Sequence, residues 1–424
     1  MNRSLHARGS RLDAIVVGAG ILGAAAAFHI SERGHRVVVL ERHVPNREGS
    51  GTTAGNLHIQ AIHTRRPAQD VPLDNGRLLP LQRRASEYWA TLEERLGTGI
   101  ELRRGGGFMV AETEEQEQEL ANKHVMERAA GIPTEVLTGG QARERLPLLS
   151  PSVRAASWCP LDGYANPLLI TPAYLEAARR NGAEVHPFTP VTAIRRTGAQ
   201  YQVHAQDHCW TAPYVIDAAG PWIADVAALA GIEVYMSPVA IQMHVTERVA
   251  PVMSHLIQHI GEGMSVKQVS AGNLLIGGGW PARTLDLQGR STVSMASMAG
   301  NLAQAGRILP FLHGLRLLRT WAGPLAATPD EMPVIGEVPG HPGFLIAGGT
   351  YAFTFAPVWG ETLASLISGE QPADPVQDLG PGRLLRGNNA NVTGRMCQPP
   401  RPPPPQTWNC PPLERDCKRN GSVP

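Results

Sequence analysis

The sequence has almost no net charge, which limits the partners that its composition supports. Its 38 lysine and arginine residues nearly balance 37 aspartate and glutamate residues, and the formal charge is +1. Binding to nucleic acid or to an acidic surface usually needs a clear basic excess, so the composition favours neither. Lysine is scarce, with three residues against 35 arginines: Lys123, Lys267 and Lys418. The length of 424 residues is nevertheless enough to bury two large cores.

Paired cysteines are also absent. The five cysteines are Cys159, Cys209, Cys397, Cys410 and Cys417, and they form no C-x-x-C pair and no four-cysteine cluster. Such spacing is typical of a reducing compartment without structural disulfides, and it lacks the pattern of a zinc or iron–sulfur site. We therefore expect no metal site, and a location that is cytoplasmic or peripheral to the inner membrane.

Long apolar runs are limited to one, the 17 mostly apolar residues Ala14 to Ile30, which follow Arg3, Arg8 and Arg11. A basic stretch before an apolar run resembles a secretory signal. The run is short for a membrane span, however, and polar residues lead from it into a further apolar stretch instead of a cleavage site. We therefore predict no transmembrane segment.

The same run has the pattern of a dinucleotide-binding unit. The apolar residues Ala14 to Val17 predict a buried strand, and Gly18, Gly20 and Gly23 follow it as G-x-G-x-x-G. The alanine-rich stretch 24–30 predicts a helix, and residues 36–40 predict a second strand. A glycine motif that lies between a strand and a helix is far more specific than the motif alone.

Each position of this unit has a chemical reason. Gly18 allows the tight turn, Gly20 allows backbone to approach a pyrophosphate, and Gly23 allows helix and strand to pack closely. Glu41 ends the second strand, 18 positions beyond Gly23, where an acid accepts hydrogen bonds from a ribose. The residues alone leave open whether the dinucleotide is NAD or a flavin nucleotide.

The rest of the chain predicts an α/β protein whose second domain has a mixed or antiparallel sheet. We expect a loop at 48–60, strand–turn–strand at 100–111, a helix at 114–131 and a parallel core strand at 214–220. The predicted nucleotide domain is therefore built from separated segments, 12–98, 151–233 and 319–385. Residues 99–150 and 234–318 form the predicted substrate domain. The proline-rich residues 388–424 are predicted to form a disordered tail.

Four stretches in order resemble the D-amino-acid oxidase-like FAD-dependent oxidoreductases. They are the glycine unit, the G-x-T-x-G-N loop, VIDAAGPW at 215–222, and 319–339 with 343–361. The resemblance covers roughly residues 12 to 385. LLIGGGWPA at 274–282 more narrowly resembles the flavin subunits of opine oxidase, hydrogen cyanide synthase and D-hydroxyproline dehydrogenase.

The resemblance implies FAD at the glycine unit, with its adenosine end at Glu41 and Arg42 and its flavin ring beneath residues 349–354. The implied cofactor-binding residues are Gly18, Ala19, Gly20, Ile21, Leu22, Gly23, Glu41, Arg42, Thr52, Thr53, Gly55, Asn56, Leu57, Val191, Ala219, Gly220, Trp222, Gly349, Thr350, Tyr351, Ala352, Phe353 and Thr354.

The sequence departs from these relatives where they bind substrate. Glycine oxidases and D-amino-acid dehydrogenases carry an arginine for the substrate carboxylate in a GLRP-like stretch, which here is GPLA at 323–326. Sarcosine oxidases carry a flavin-linked cysteine near Gly323 and a lysine near Thr354, so FAD should be non-covalent here. Candidates to replace the arginine as the clamp that binds the substrate carboxylate are His58, Gln60, Tyr351 and Arg319. The candidate catalytic residues are His58 and Tyr351. The candidate titrating groups near the site are His58 and His244.

The leading prediction is an FAD-dependent oxidation of the C–N bond of a D-amino acid or secondary amine of the opine, D-hydroxyproline, sarcosine or glycine type. We expect one subunit of a complex, whose companion carries an iron–sulfur centre and a second flavin or nucleotide site. The alternatives are a self-sufficient oxidase that forms hydrogen peroxide, an NAD-dependent dehydrogenase, and a non-catalytic flavoprotein scaffold.

Overall fold

A computed structural model describes residues 11–62, 75–261, 263–283 and 290–385 of the chain. The predicted tail at 388–424 lies outside the described residues, as do Cys397, Cys410 and Cys417.

The secondary structure alternates strands and helices through the described residues. The strands are β1 (Ala14–Val17), β2 (Val37–Leu40), β3 (Asn56–Leu57), β4 (Gly107–Ala111), β5 (Glu135–Thr138), β6 (Ala155–Cys159), β7 (Gly163–Tyr164), β8 (Glu184–His186), β9 (Ala193–Thr197), β10 (Gln200–Ala205), β11 (His208–Ala212), β12 (Tyr214–Asp217), β13 (Ser237–Arg248), β14 (Leu256–His259), β15 (Ser265–Gln268), β16 (Asn273–Gly277), β17 (Leu317–Ala327), β18 (Val334–Glu337) and β19 (Phe344–Gly348). The helices are α1 (Ile21–Glu32), α2 (Gly49–Thr52), α3 (Leu79–Leu96), α4 (Glu114–Ala129), α5 (Gly139–Arg145), α6 (Pro167–Arg180), α7 (Ile223–Ala228), α8 (Met295–Ile308) and α9 (Ala352–Ile367).

A six-stranded sheet in the order β18-β19-β12-β1-β2-β8 carries the glycine unit. All of its neighbouring pairs are parallel except β18 with β19. Helices α1, α3, α6 and α9 supply the core on one face, and the small sheet β11-β10-β9 packs on the other. Because both faces are covered, the inner strands are uninterrupted apolar runs. The predicted α/β class and the parallel core strand after residue 214 are confirmed.

An eight-stranded sheet forms the second layer, in the order β17-β13-β16-β15-β14-β4-β6-β5. It is mixed, because β14 runs parallel to β4 while the other pairs are antiparallel. One face packs under α5 and α8 in a cluster that includes Val266, Ile276 and Ile308. The other face lies toward the loop that follows β2.

Two strands belong to a different sheet from the one that the predicted domain boundaries implied. Strands β6 and β17 hydrogen-bond within the eight-stranded sheet, although the predicted boundaries at 150/151 and 318/319 placed β6 and most of β17 in the nucleotide domain. Their pairing depends on partners distant in sequence, which local pattern does not reveal.

The predicted strand–turn–strand at 100–111 is wrong in its first half, because only β4 is a strand and it pairs with β6 and β14. The glycines of this stretch do not form a hairpin turn; they allow its backbone to pack closely against neighbouring residues. A Cβ on Gly105 would lie 2.4 Å from the Ser254 carbonyl oxygen, and one on Gly106 would lie 2.2 Å from the Trp158 ring. The predicted loop at 48–60 contains the short helix α2 and the strand β3.

No helix in the described parts of the chain combines the length and the apolar character that a membrane crossing needs.

Candidate cofactor and substrate site

The glycine turn is held against the end of β12 by contacts that only glycine permits. Gly18 has φ +103°, and a Cβ there would lie 2.7 Å from the carbonyl oxygen of Ala218. A Cβ on Gly23 would lie 2.0 Å from the carbonyl oxygen of Gly18. The turn therefore brings the start of α1 directly over the carboxyl end of the parallel sheet, where α/β proteins bind nucleotides.

The amino end of α1 fits an anionic ligand. Its N-cap residue, Gly20, makes no side-chain capping hydrogen bond, and its first turn contains no acidic residue. The backbone N–H of Ile21 donates to the Ser50 hydroxyl at 2.9 Å, which ties α2 to this turn. Free N–H groups and the positive end of the helix dipole suit a pyrophosphate, whereas the side chains of Ile21 and Leu22 are buried in the core.

The carboxylate of Glu41 lies beside the same turn. Its Oε2 accepts a hydrogen bond from the backbone N–H of Ala19, and its Oε1 accepts one from His43, both at 2.8 Å. Each oxygen keeps a lone pair that can accept a ribose hydroxyl. The guanidinium carbon of Arg42 lies 3.8 Å from the Trp222 ring centre. Glu41 and Arg42, predicted at the adenosine end, are thus brought together with Trp222.

The remaining predicted residues on this side flank that group. Half-buried Val191 and Ala219 pack against the same apolar cluster as β12. The backbone N–H of Ala219 donates to Asp217 Oδ1 at 3.1 Å, and Gly220 adopts φ +58°. Asp217 is fully buried, and burial raises its carboxyl pKa well above the usual value. Sequence reasoning missed this buried carboxyl group, which lies two residues before Ala219.

The loop of α2 and β3 lies against β17. The Trp321 indole N–H donates to the Thr52 carbonyl oxygen at 2.9 Å, and a Cβ on Gly49 would lie 2.5 Å from the Pro324 carbonyl oxygen. Gly55 adopts φ +72°. A cavity of about 330 Å³ lies along this contact, lined by Glu48, Thr52, Arg290, Ser291, Thr292, Ala322 and Pro324.

Gly323 leaves no room for a side chain. A Cβ built on it would lie 1.9 Å from the Thr52 hydroxyl oxygen. The space that a side chain at position 323 would need is therefore filled by Thr52.

The segment Gly349–Thr354 joins β19 to α9 and faces β3. Gly349 and Tyr351 adopt positive φ angles of 86° and 58°, and the Thr350 hydroxyl donates to the Glu331 carbonyl oxygen. The Thr354 hydroxyl accepts the His58 backbone N–H at 3.1 Å. A positive φ is uncommon for tyrosine and is retained only where the surroundings impose it.

The candidate catalytic pair is brought together by this segment. The rings of His58 and Tyr351 meet edge to face with centres 6.3 Å apart. Phe353, in contrast, stacks on Trp89 in the core at 5.6 Å, and Thr354 is buried. Both side chains are therefore committed to contacts within the fold.

Three other candidates lie elsewhere. Gln60 is fully buried, where it donates to Asp162 and accepts from Lys123. Arg319 is exposed at the outer strand β17. His244 lies on the face of β13 that packs under α8, bonded to Thr320, and burial lowers its pKa to about 4. The side chain of Gln60 is therefore committed within the fold, and Arg319 and His244 lie away from the His58 and Tyr351 rings; their functional roles stay predictions.

Two buried charged groups near β3 were missed. Asp162 accepts hydrogen bonds from the backbone N–H groups of Ile59 and Gln60, and burial raises its pKa to about 6. Lys267 lies in β15 and donates to the Ala54 carbonyl oxygen and to Asn56 Oδ1. The scarcity of lysine in the sequence was a signal that could have identified it.

Comparison with known proteins places these features in context. The family described as FAD dependent oxidoreductase, abbreviated DAO, matches residues 13–366. Glycine oxidase of Geobacillus kaustophilus is 28% identical over 380 residues, which are 89% of this chain and 97% of that protein. HcnC, a hydrogen cyanide synthase subunit of Pseudomonas aeruginosa, is 29% identical over 379 residues, 80% of this chain and 88% of that protein.

Solved structures agree with the fold described above. Glycine oxidase from G. kaustophilus superposes with a TM-score of 0.78 and 25% identity, covering 89% of this chain and 100% of that one. L-proline dehydrogenase from P. horikoshii superposes with the same TM-score, identity and coverage.

Proposed function

Because the chain belongs to the DAO family of FAD dependent oxidoreductases, we propose that it oxidises the C–N bond of a D-amino acid or a secondary amine. The family match specifies FAD, so the alternative of an NAD-dependent dehydrogenase is wrong. When bound, FAD supplies the acceptor for the hydride that leaves the carbon bearing nitrogen.

The observation that carries this proposal is the juxtaposition of Glu41 with the amino end of α1. The uncapped turn at Gly20 would hold the pyrophosphate, and the Glu41 carboxylate would accept the ribose hydroxyls. Arg42 would lie at the adenosine end with Trp222 against it, Thr52 and Thr53 would lie at the pyrophosphate, and Gly349 to Thr354 would close over the flavin ring. The close contact between Gly323 and Thr52 supports non-covalent FAD.

The side chains proposed to border the flavin ring would make the protein's own contribution to the reaction. The His58 and Tyr351 rings would exclude water and orient the C–H bond toward FAD. His58 would also be placed to take a proton from an ammonium substrate, since hydride leaves a neutral amine more readily. Thr354 occupies the position of a substrate-binding lysine in sarcosine oxidases but is committed to backbone hydrogen bonds.

The similarity to HcnC, which is named as a subunit, supports a hetero-oligomer as the working state. We propose that a companion subunit with an iron–sulfur centre and a second flavin or nucleotide site takes the electrons. The second candidate, a self-sufficient oxidase that forms hydrogen peroxide, is supported by the similarity to glycine oxidase.

The decisive experiment is anaerobic reduction of the protein-bound FAD by a panel of D-amino acids, D-hydroxyproline, sarcosine, glycine and opines. We expect at least one substrate to bleach the oxidised flavin absorbance, and the isolated chain to reduce an artificial dye faster than oxygen. No bleaching by any of them would favour the non-catalytic scaffold. Rapid stoichiometric hydrogen peroxide formation by the isolated chain would instead support the self-sufficient oxidase.

A further inference from the structure

The two buried lysines of the described chain differ in one respect. Lys123 Nζ lies 2.5 Å from the Glu127 carboxylate, so its charge is neutralised within the fold. Lys267 is equally buried, but its hydrogen-bond partners are the neutral oxygens of Ala54 and Asn56. Among the described residues, no carboxylate lies within 4 Å of its Nζ. A buried ammonium without an anion is costly, and folded proteins retain one mainly where function needs it.

Strand register places Lys267 on the face of the eight-stranded sheet that borders the cofactor loop. Lys267 pairs with Leu275, Leu275 pairs with Val245, and directly paired residues project from the same face. Trp321 belongs to this face, because its partner Met243 lies two residues before Val245. Since the Trp321 indole donates to Thr52, the face looks toward the loop that borders the proposed flavin site.

The contacts of Lys267 are with the loop segment that leads to His58. Asn56, which accepts from Nζ at 2.8 Å, is separated from His58 by one residue. The Tyr164 ring lies with its centre 4.6 Å from Nζ. An ammonium has three N–H donors, and the oxygens of Ala54 and Asn56 use two. Burial also lowers the pKa of the Lys267 ammonium well below its usual value, which an incoming anion would reverse.

Other positions considered for a carboxylate clamp offer no free cation beside the proposed flavin site. Residues 323–326 contain no arginine, Thr354 is a buried hydroxyl, Gln60 is committed to Asp162, and Arg319 is exposed. We propose that the ammonium of Lys267 binds the carboxylate of the amine substrate. The inference rests on the proposed function and narrows the substrate class to amino acids and N-substituted amino acids, excluding amines without a carboxylate.

The test is an equilibrium titration of the FAD-loaded protein with acetate and with its neutral isostere acetamide, followed by the flavin difference spectrum. We expect the unaltered protein to prefer acetate, and Lys267→Gln to bind acetate about 10- to 100-fold more weakly with little change for acetamide. Lys267→Arg should retain part of the preference. Lys267→Met, which buries no charge, is the second variant if Lys267→Gln does not fold.

A matched control removes the other buried lysine together with its anion. Lys123→Met combined with Glu127→Gln should keep the acetate preference of the unaltered protein. Three results would each overturn the proposal. They are an unchanged acetate affinity in Lys267→Gln, an equal loss of affinity for acetate and acetamide in that variant, and no acetate binding by the unaltered protein. A shift of the FAD midpoint potential in Lys267→Gln with unchanged acetate affinity would also overturn it, because the lysine charge would then act on the flavin and not on a substrate carboxylate.

The titration involves no turnover, so its outcome is separate from that of the amine panel. If no amine reduces the flavin, the proposed function fails, while the acetate preference still reports on Lys267.

Discussion

The Thr354 hydroxyl oxygen lies 3.1 Å from the backbone nitrogen of His58, and this hydrogen bond joins α9 to β3. Thr354 is buried, so its replacement by valine would leave the His58 N–H without an acceptor at a cost of about 1–3 kcal/mol. We expect Thr354→Val to lower the free energy of unfolding by that amount, measured by urea denaturation. It should also raise KM for the amine substrate, because His58 loses its anchor.

Thr354→Ser is the control for this prediction, since it retains the hydroxyl. It should keep most of the stability and leave KM close to that of the unaltered protein. A valine variant as stable as the unaltered protein would show that the hydrogen bond contributes nothing, and a serine loss as large as the valine loss would show that the methyl group matters as much as the hydroxyl.

The position of Glu41 predicts a role in FAD affinity. Glu41→Gln removes the charge from hydrogen bonds to ribose, and charge-assisted hydrogen bonds contribute about 1.5–3 kcal/mol. We expect FAD to bind roughly 10- to 100-fold more weakly, measured by fluorescence titration of the apoprotein, while the preferred substrate stays the same. Glu48→Gln, on the nearby loop, is the matched control. An unchanged FAD affinity in Glu41→Gln would show that the carboxylate faces elsewhere when FAD is bound.

The glycine turn predicts how FAD is held. A Cβ on Gly20 would lie 3.0 Å from the Ser50 hydroxyl, and a branched side chain there would occupy the proposed pyrophosphate position. We expect Gly20→Val to be folded by circular dichroism but colourless. Gly314→Val, at a site with no atom near the added Cβ, should stay yellow.

Non-covalent binding predicts the behaviour of the flavin on denaturation. Acid precipitation of the yellow protein should release FAD into the supernatant, because Gly323 offers no thiol. Flavin that stays in the pellet would indicate a covalent link through another residue.

The ion-pair cluster between α1 and α9 predicts a pH dependence of stability. Glu361 accepts a hydrogen bond from His29 at 3.0 Å and pairs with Arg33, which lowers its pKa from 4.5 to about 2. Burial lowers the pKa of His29. Because the carboxyl pKa of Glu361 is lowered, the contribution of this group to the free energy of unfolding is complete above about pH 4.5 and is lost as the pH falls to about 2.

Such a pKa shift corresponds to about 3 kcal/mol before screening, of which a quarter-exposed carboxylate retains about 1–2 kcal/mol. We expect Glu361→Gln to be less stable by that amount at pH 7, and the difference to vanish near pH 2, measured by urea denaturation across this range. Glu370→Gln, which removes an exposed ion pair with Arg33, should change the stability by less than about 0.5 kcal/mol. A pH-independent loss in Glu361→Gln would indicate a packing effect.

The glycine unit was predictable from the sequence because its determinants are local. Strand, turn, helix and second strand lie within 28 residues, and the structure places β1, α1 and β2 where the pattern put them. Gly34, which follows α1, adopts a left-handed conformation with φ +83°. The site around it could be listed from the resemblance, but the position of each side chain could not.

The sequence by itself thus determined the nucleotide-binding unit, since tight turns and periodic apolar runs depend on neighbours in the chain, while FAD was indicated by the family resemblance. Tertiary structure decided which strands join the second sheet and which side chains meet around β3. Lys267 is the clearest case, because its contacts lie more than 200 residues away at Ala54 and Asn56. Its burial follows only once β15 and β17 pack over that loop, and burial is what makes an unpaired ammonium chemically significant.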